Sequence, residues 1–218
     1  MQMRDSFVMK RLFLTGTDTG VGKTIVSALL CAALDGTYWK PVQTGSRAGT
    51  DRETVRRLAA LAAGDEIPEA YCLPEPVSPH LAAEWNGIRI RLDAIQKPSI
   101  PETKWLIVEG AGGVLVPLND SDFMVDLMKR LGFPVVLVAR TALGTINHTL
   151  LSLEALRRRG IPVAGIVLNG EENPDNREAL ERYGRVPILG WVPPLQEISC
   201  QALRRVFEEH FDKTYFPV

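Results

Sequence analysis

Histidine and cysteine are scarce. Each occurs three times in 218 residues, and neither type clusters. Cys31, Cys72 and Cys200 stand far apart, with no C-x-x-C pair and no metal-ligand spacing. A zinc centre is therefore not expected, and the cysteines read as small apolar packing residues. A basic excess is also missing: 25 Lys and Arg stand against 26 Asp and Glu, for a net charge of −1. Surfaces that hold DNA or RNA carry basic patches, so no nucleic-acid partner is expected. No unbroken apolar run approaches the ~20 residues that a membrane-crossing helix needs. The opening MQMRDSFVMK holds no apolar stretch of signal-peptide length. These absences point to a cytoplasmic protein with no membrane partner. Residues 1–218 are expected to form a single domain, with 1–9 a flexible extension in which Met3 and Met9 are alternative starts.

The chain carries instead a regular alternation of short apolar runs and longer amphipathic ones. Strands are expected at 11–15, 37–40, 105–109, 135–139, 163–168 and 188–192. Helices are expected at 23–34, 51–63, 123–131, 145–159, 175–183 and 199–210. Gly132 and Gly160 follow basic last turns, as helix C-termini prefer. Most strands are continuously apolar, as in VVLVA at 135–139. That pattern fits a parallel sheet buried on both faces. The expected fold is α/β: a doubly wound, mainly parallel sheet flanked by helices, of the P-loop NTP hydrolase type. Ligands of such sheets gather at the carboxyl ends of the strands. The proline-rich stretch 68–101 reads as an excursion, with short helices near 80–85 and 92–96.

After the first strand comes GTDTGVGKT at 16–24, followed by the helix-forming run IVSALLCAAL. Glycines let backbone N–H groups converge on an anion, and a helix start adds unpaired N–H groups and a positive dipole end. The stretch Thr19, Gly20, Val21, Gly22, Lys23, Thr24 and Ile25 is expected to bind the phosphates of a nucleotide. Lys23 reaches the β- and γ-phosphates and the Thr24 hydroxyl ligates Mg²⁺. Five residues separate Gly16 from Gly22, one more than the strict G-x-x-x-x-G-K-S/T pattern.

Four further strand ends carry candidate residues. Lys40, held extended by Pro41, is expected at the last position of the second strand, beside the phosphate loop; the alternative is an ordinary surface lysine. Thr44-Gly45-Ser46 forms a polar loop suited to a small substrate. Asp51 opens a helix, either as its N-terminal cap or as a metal-shell carboxylate. Glu109 is expected to end the third strand and enter a glycine turn, Gly110, Ala111, Gly112, where Mg²⁺ would balance a costly buried charge. Asn169-Gly170 reads either as a base contact or as a simple turn. Trp191 to Pro194 closes the same side, or forms a rigid loop.

Together these segments resemble the dethiobiotin synthetase family. The residues that carry the resemblance are GTDTGVGKT (16–24), KPVQTGS (40–46), SPHLAA (78–83), VEGAGG (108–113), LGTINHTLL (143–151), and the N-G and V-P-P segments near 169 and 193. They keep the family's order and span nearly the whole chain. The resemblance implies an ATP- and Mg²⁺-dependent ligase that joins 7,8-diaminononanoate and CO₂ or bicarbonate into the ureido ring of dethiobiotin. It implies that Thr24, Asp51 and Glu109 hold the metal and that Lys40 and Lys23 are catalytic. Thr17, Lys40 and Thr44 would meet the reacting end of the substrate; Asn169, Gly170, Pro193, Pro194 and Leu195 would hold adenine. It also implies a homodimer in which Gly144, Thr145 and Asn147 grip the carboxylate tail of the partner's substrate. Gly20 departs from the acidic residue of some relatives. Asp18 stands where a branch of switch ATPases carries a lysine, which argues against that branch.

Overall fold

The computed structural model describes residues 10–217; residues 1–9, read above as an extension, lie outside the described residues. The strands are β1 (Arg11–Gly16), β2 (Thr37–Trp39), β3 (Val42–Gln43), β4 (Glu66–Ile67), β5 (Tyr71–Cys72), β6 (Leu106–Gly113), β7 (Val135–Arg140), β8 (Val163–Asn169) and β9 (Ile188–Val192). The helices are α1 (Lys23–Leu34), α2 (Asp51–Ala59), α3 (Pro79–Trp85), α4 (Met124–Leu131), α5 (Thr145–Arg158), α6 (Pro174–Gly184) and α7 (Cys200–His210). Among the described residues, seven strands form one sheet in the order β4-β2-β6-β1-β7-β8-β9, with every pairing parallel. β3 and β5 form a separate parallel pair.

The continuous apolar runs are explained by burial on both faces. Successive side chains of a strand point to opposite faces. Leu12, Leu14, Ile107, Val136 and Val138 therefore pack with Val26, Leu29 and Leu30 of α1, Val55 of α2, and Leu203 of α7. Phe13, Leu106, Val108, Val135 and Leu137 pack on the other side with Leu127 and Met128 of α4, Leu153 of α5, and Leu180 of α6. Each fully buried side chain of this size contributes roughly 1.5–3 kcal/mol relative to exposure, so neither helix layer is dispensable.

The fold departs from the sequence reading in three places. Helix α2 ends at Ala59 rather than at 63: Ala60 turns left-handed with φ 52°, and its N–H donates to the Arg56 carbonyl. Leu61 then folds back onto the core, and the chain returns as the short edge strand β4. Helix propensity favours the longer helix; packing overrides it. Glu109 does not end its strand. β6 continues to Gly113, and Glu109 pairs with Leu14 in mid-strand. Of the three cysteines only Cys31 is buried in the core; Cys72 is exposed and Cys200 half-buried.

Candidate active site

Because β2, β6 and β1 are adjacent and parallel, the segments that follow β1 and β2 meet Glu109 of β6 on one side of the molecule. A cavity of about 660 Å³ opens there. The phosphate loop contributes Thr19, Gly20, Gly22, Lys23, Thr24 and Ile25 to its wall, and the neighbouring strands and loops contribute Lys40, Thr44, Asp51, Glu109, Ala111 and Gly112. Val21 and Gly110 support these from the core side, both buried. Thr17 leaves β1 with its N–H donating to the Val138 carbonyl at 3.0 Å.

The loop's geometry depends on its glycines. Gly22 caps α1 at φ 98°, a left-handed conformation that favours glycine. A Cβ there would also lie 2.1 Å from Asn169 Nδ2. The first turn of α1 holds no acidic side chain of its own, and a helix start offers free N–H groups and a positive dipole end. Lys23 Nζ donates to the Asp18 carbonyl at 3.1 Å. Burial lowers its pKa, and the pull of Glu109 the other way does not overcome this.

Beside the loop lies a compact charge cluster. Lys40, the residue immediately after β2, is 5% exposed. Its Nζ pairs with Asp51 Oδ2 and, at 3.1 Å, with Glu109 Oε1. It is not a surface lysine. Burial alone would lower its pKa, but Glu109 and Asp51 outweigh that and hold it above its ordinary value. Burial likewise works to raise the Asp51 pKa, and the Lys40 ammonium, helped by hydrogen bonds from Thr24 and Gln43, brings it below the usual value. Asp51 is not the cap of α2. Thr50 caps that helix in a reciprocal capping box with Glu53, which leaves the Asp51 carboxylate free to face Thr24 Oγ1 at 3.0 Å. Thr24 Oγ1 also lies 3.1 Å from Glu109 Oε1, so its one hydroxyl proton is shared between the two carboxylates.

Two carboxylates thus converge within hydrogen-bond reach of one hydroxyl. Among the described residues no group of three or more His, Cys, Asp or Glu side chains could hold a metal. Mg²⁺ does not need one, since it binds through one or two carboxylates and completes its shell with phosphate oxygens and water. The donor set therefore fits a hard divalent cation.

The residues expected to hold a base stand apart from this wall. Asn169 Nδ2 donates to the Val21 carbonyl at 3.0 Å, against the back of the phosphate loop. Gly170 receives Trp191 Nε1 on its carbonyl at 2.8 Å, which ties the end of β8 to β9. Pro193, Pro194 and Leu195 follow β9, and Leu195 packs on the core. Gly144 and Asn147, at the start of α5, are exposed, whereas Thr145 is buried with its hydroxyl on the Arg140 carbonyl. None of these three lines the cavity.

Sequence reading missed several participants. Ser27 and Tyr38 both donate to Glu109 Oε2. Gln43 Oε1 accepts the Asp51 N–H at 3.1 Å while its Nε2 donates to the Thr44 carbonyl at 2.6 Å. Pro76, Val77, Ser78 and Pro79, from the proline-rich excursion, form the wall together with Val116. Only the SPHLAA segment signalled that wall.

Comparison with known proteins agrees with this architecture. A family model described as an AAA domain matches residues 10–202. Among solved structures, a nucleotide-binding protein in complex with ADP from Archaeoglobus fulgidus aligns with TM-score 0.52 and 15% identity, covering 95% of this chain and 92% of the other. The cell division ATPase MinD of Pyrococcus furiosus aligns with TM-score 0.51 and 15% identity, covering 92% and 98%. Likeness at that identity shows the fold alone. Curated relatives are much nearer. Proteins named ATP-dependent dethiobiotin synthetase BioD are 50% identical in Rhodopseudomonas palustris, covering 95% of this chain and 96% of the relative. They are 51% identical in Nitrobacter hamburgensis, covering 92% and 94%, and 49% identical in Brucella anthropi, covering 95% and 98%. The chain belongs to the ATP-dependent dethiobiotin synthetase family.

Proposed function

We propose that the cavity is the place where this enzyme closes the ureido ring of dethiobiotin from 7,8-diaminononanoate, CO₂ and ATP. One amine adds to CO₂ and loses a proton, giving a carbamate. A carbamate oxygen then attacks the γ-phosphorus and ADP leaves. The second amine attacks the carbonyl carbon, phosphate departs, and the nitrogen loses its proton as the ring closes. The activation is needed because a carbamate oxygen is a poor leaving group, and phosphate is a good one.

The single observation that carries this reading is Lys40. It is a buried cation on the wall that also holds Thr44 and the phosphate loop. Lys23 and Lys40 would meet the charge that builds on the transferred phosphoryl oxygens. Preorganised charge in a water-poor site is an effective form of catalysis. Lys23 exchanges its contact with the Asp18 carbonyl for a phosphate oxygen, and the N–H groups of residues 19–25 cradle the rest. Thr24, Asp51 and Glu109 would hold Mg²⁺, which would supply neutralising positive charge for the phosphates. Thr17, Lys40 and Thr44 receive the amine and carbamate end. Asn169 and Gly170 with Pro193, Pro194 and Leu195 take the adenine.

The same reading makes the active unit a cytoplasmic homodimer. No helix among the described residues is long and apolar enough to cross a membrane. Gly144 and Asn147 are exposed beside Leu143 and Leu151, which are also exposed. A partner copy docked there would bring the N-terminus of α5 to the substrate tail, where backbone N–H groups suit a carboxylate.

The deciding experiment measures ADP release with each substrate omitted in turn, together with the product mass. ADP should form only when both 7,8-diaminononanoate and bicarbonate are present, with the mass of dethiobiotin appearing. Undiminished ADP release without either one would exclude ring closure as the reaction of this site.

A further inference from the structure

Glu109 has no exposed surface, and its two oxygens face different surroundings. Oε1 belongs to the cavity group, accepting from Lys40 Nζ and from Thr24 Oγ1, each at 3.1 Å. Oε2 is turned to the core, accepting from Ser27 Oγ at 2.7 Å and from Tyr38 OH at 3.0 Å. Ser27 follows Thr24 by three positions on α1, so both hydroxyls lie on one helix face and approach the carboxylate together. Tyr38 comes from β2, the strand beside β6. Ser27 and Tyr38 are themselves fully buried, and neither lines the cavity. A buried hydroxyl left without a partner is costly, so the three groups hold one another in place.

We propose that Tyr38 and Ser27 are positioning residues for Glu109: by occupying Oε2 in the core, they fix the carboxylate's rotation and leave Oε1 as the one oxygen it presents to a divalent cation. This rests on the reading of Glu109 as a metal ligand. The sequence motif around Glu109 contains neither residue. Strand order alone brings Tyr38 to it.

Mn²⁺ is the probe. Its binding to the full chain is titrated by electron paramagnetic resonance in the presence of an ATP analogue with a non-hydrolysable β–γ bridge. The affinity for the same analogue is measured separately without metal. Removing an outer-shell partner of a metal ligand typically costs about 10–100-fold in metal affinity. Tyr38→Phe, which deletes one oxygen and keeps the ring, should weaken Mn²⁺ binding by about 10-fold while metal-free nucleotide affinity stays unchanged. Ser27→Ala should move in the same direction. Tyr71→Phe removes a hydroxyl that accepts the Arg91 N–H at 3.0 Å, away from the cavity, and should change nothing. A loss shared equally by the metal and the metal-free nucleotide in Tyr38→Phe and Ser27→Ala would mean general loosening and overturn the inference. Unchanged Mn²⁺ affinity in both, with a loss in Glu109→Gln, would overturn it while sparing Glu109 as a ligand. Unchanged affinity in Glu109→Gln would overturn both.

Discussion

At the scale of the residue, the site is a balance of neighbouring charges. Lys40 stands between Asp51 and Glu109, so its removal subtracts the transition-state contact proposed for it and also leaves two carboxylates without their shared cation. Loss of one preorganised contact of this kind costs about 2.7–4 kcal/mol, or roughly 10²–10³ in turnover. Lys40→Ala should lower kcat by that order while affinity for an ATP analogue changes far less; steady-state kinetics beside calorimetric titration separates the two. A near-wild-type kcat would remove Lys40 from the mechanism. Gly22 supports a second prediction. Alanine there must accept φ 98° and a contact at 2.1 Å with Asn169 Nδ2, and strained positions of this sort cost about 1–3 kcal/mol. Gly22→Ala should lose nucleotide binding at concentrations that saturate the wild type.

At the scale of the element, helix starts rather than helix bodies place the chemistry. α1 begins at the phosphate loop and α2 begins at Asp51, and each start is set by a different device: a left-handed glycine in one, a Thr50–Glu53 capping box in the other. Both starting positions were legible locally, because glycine and capping residues act within a few positions of themselves, but local pattern left the cap of α2 open at Asp51 and did not reveal the Thr50–Glu53 box. The end of α2 was not legible. The run after Asp51 favours helix to 63, yet Leu61 gains more by folding onto the core. Thr50→Ala should cost about 0.5–2 kcal/mol, a fall of roughly 2–4 °C in Tm per kcal/mol for a chain of this size, read in a thermal melt. It should also raise the Mg²⁺ requirement, since Asp51 is the next residue. A melting change without any metal effect would show that the cap serves stability alone.

At the scale of the whole molecule, the parallel sheet brings segments distant in the chain to one edge, and ligand binding should report on that assembly. A ligand that binds only the folded state adds about 2.7 kcal/mol at a hundred times its Kd. The ATP analogue should therefore raise Tm, and raise it further with Mg²⁺ than with EDTA. Equal shifts would argue against a metal between Thr24, Asp51 and Glu109. The central strand anchors this assembly in the core: Leu14, with no exposed surface, should cost about 2–5 kcal/mol as Leu14→Ala, measured by denaturant unfolding.

The sequence by itself determined the alternation of strands and helices, the parallel character of the sheet, the phosphate loop and the identities of Lys40 and Glu109. Each of these is written in short-range signals: periodicity, glycine placement, and one charged residue beside an apolar run. Tertiary structure alone decided what surrounds Glu109. Its partners Ser27 and Tyr38 lie 82 and 71 positions away, and nothing in local pattern says that β2 and β1 flank β6. The same holds for Gln43 and for the wall formed by Pro76 to Pro79. A polar residue near a strand end can face water or a buried carboxylate, and the choice depends on which strand lies beside it.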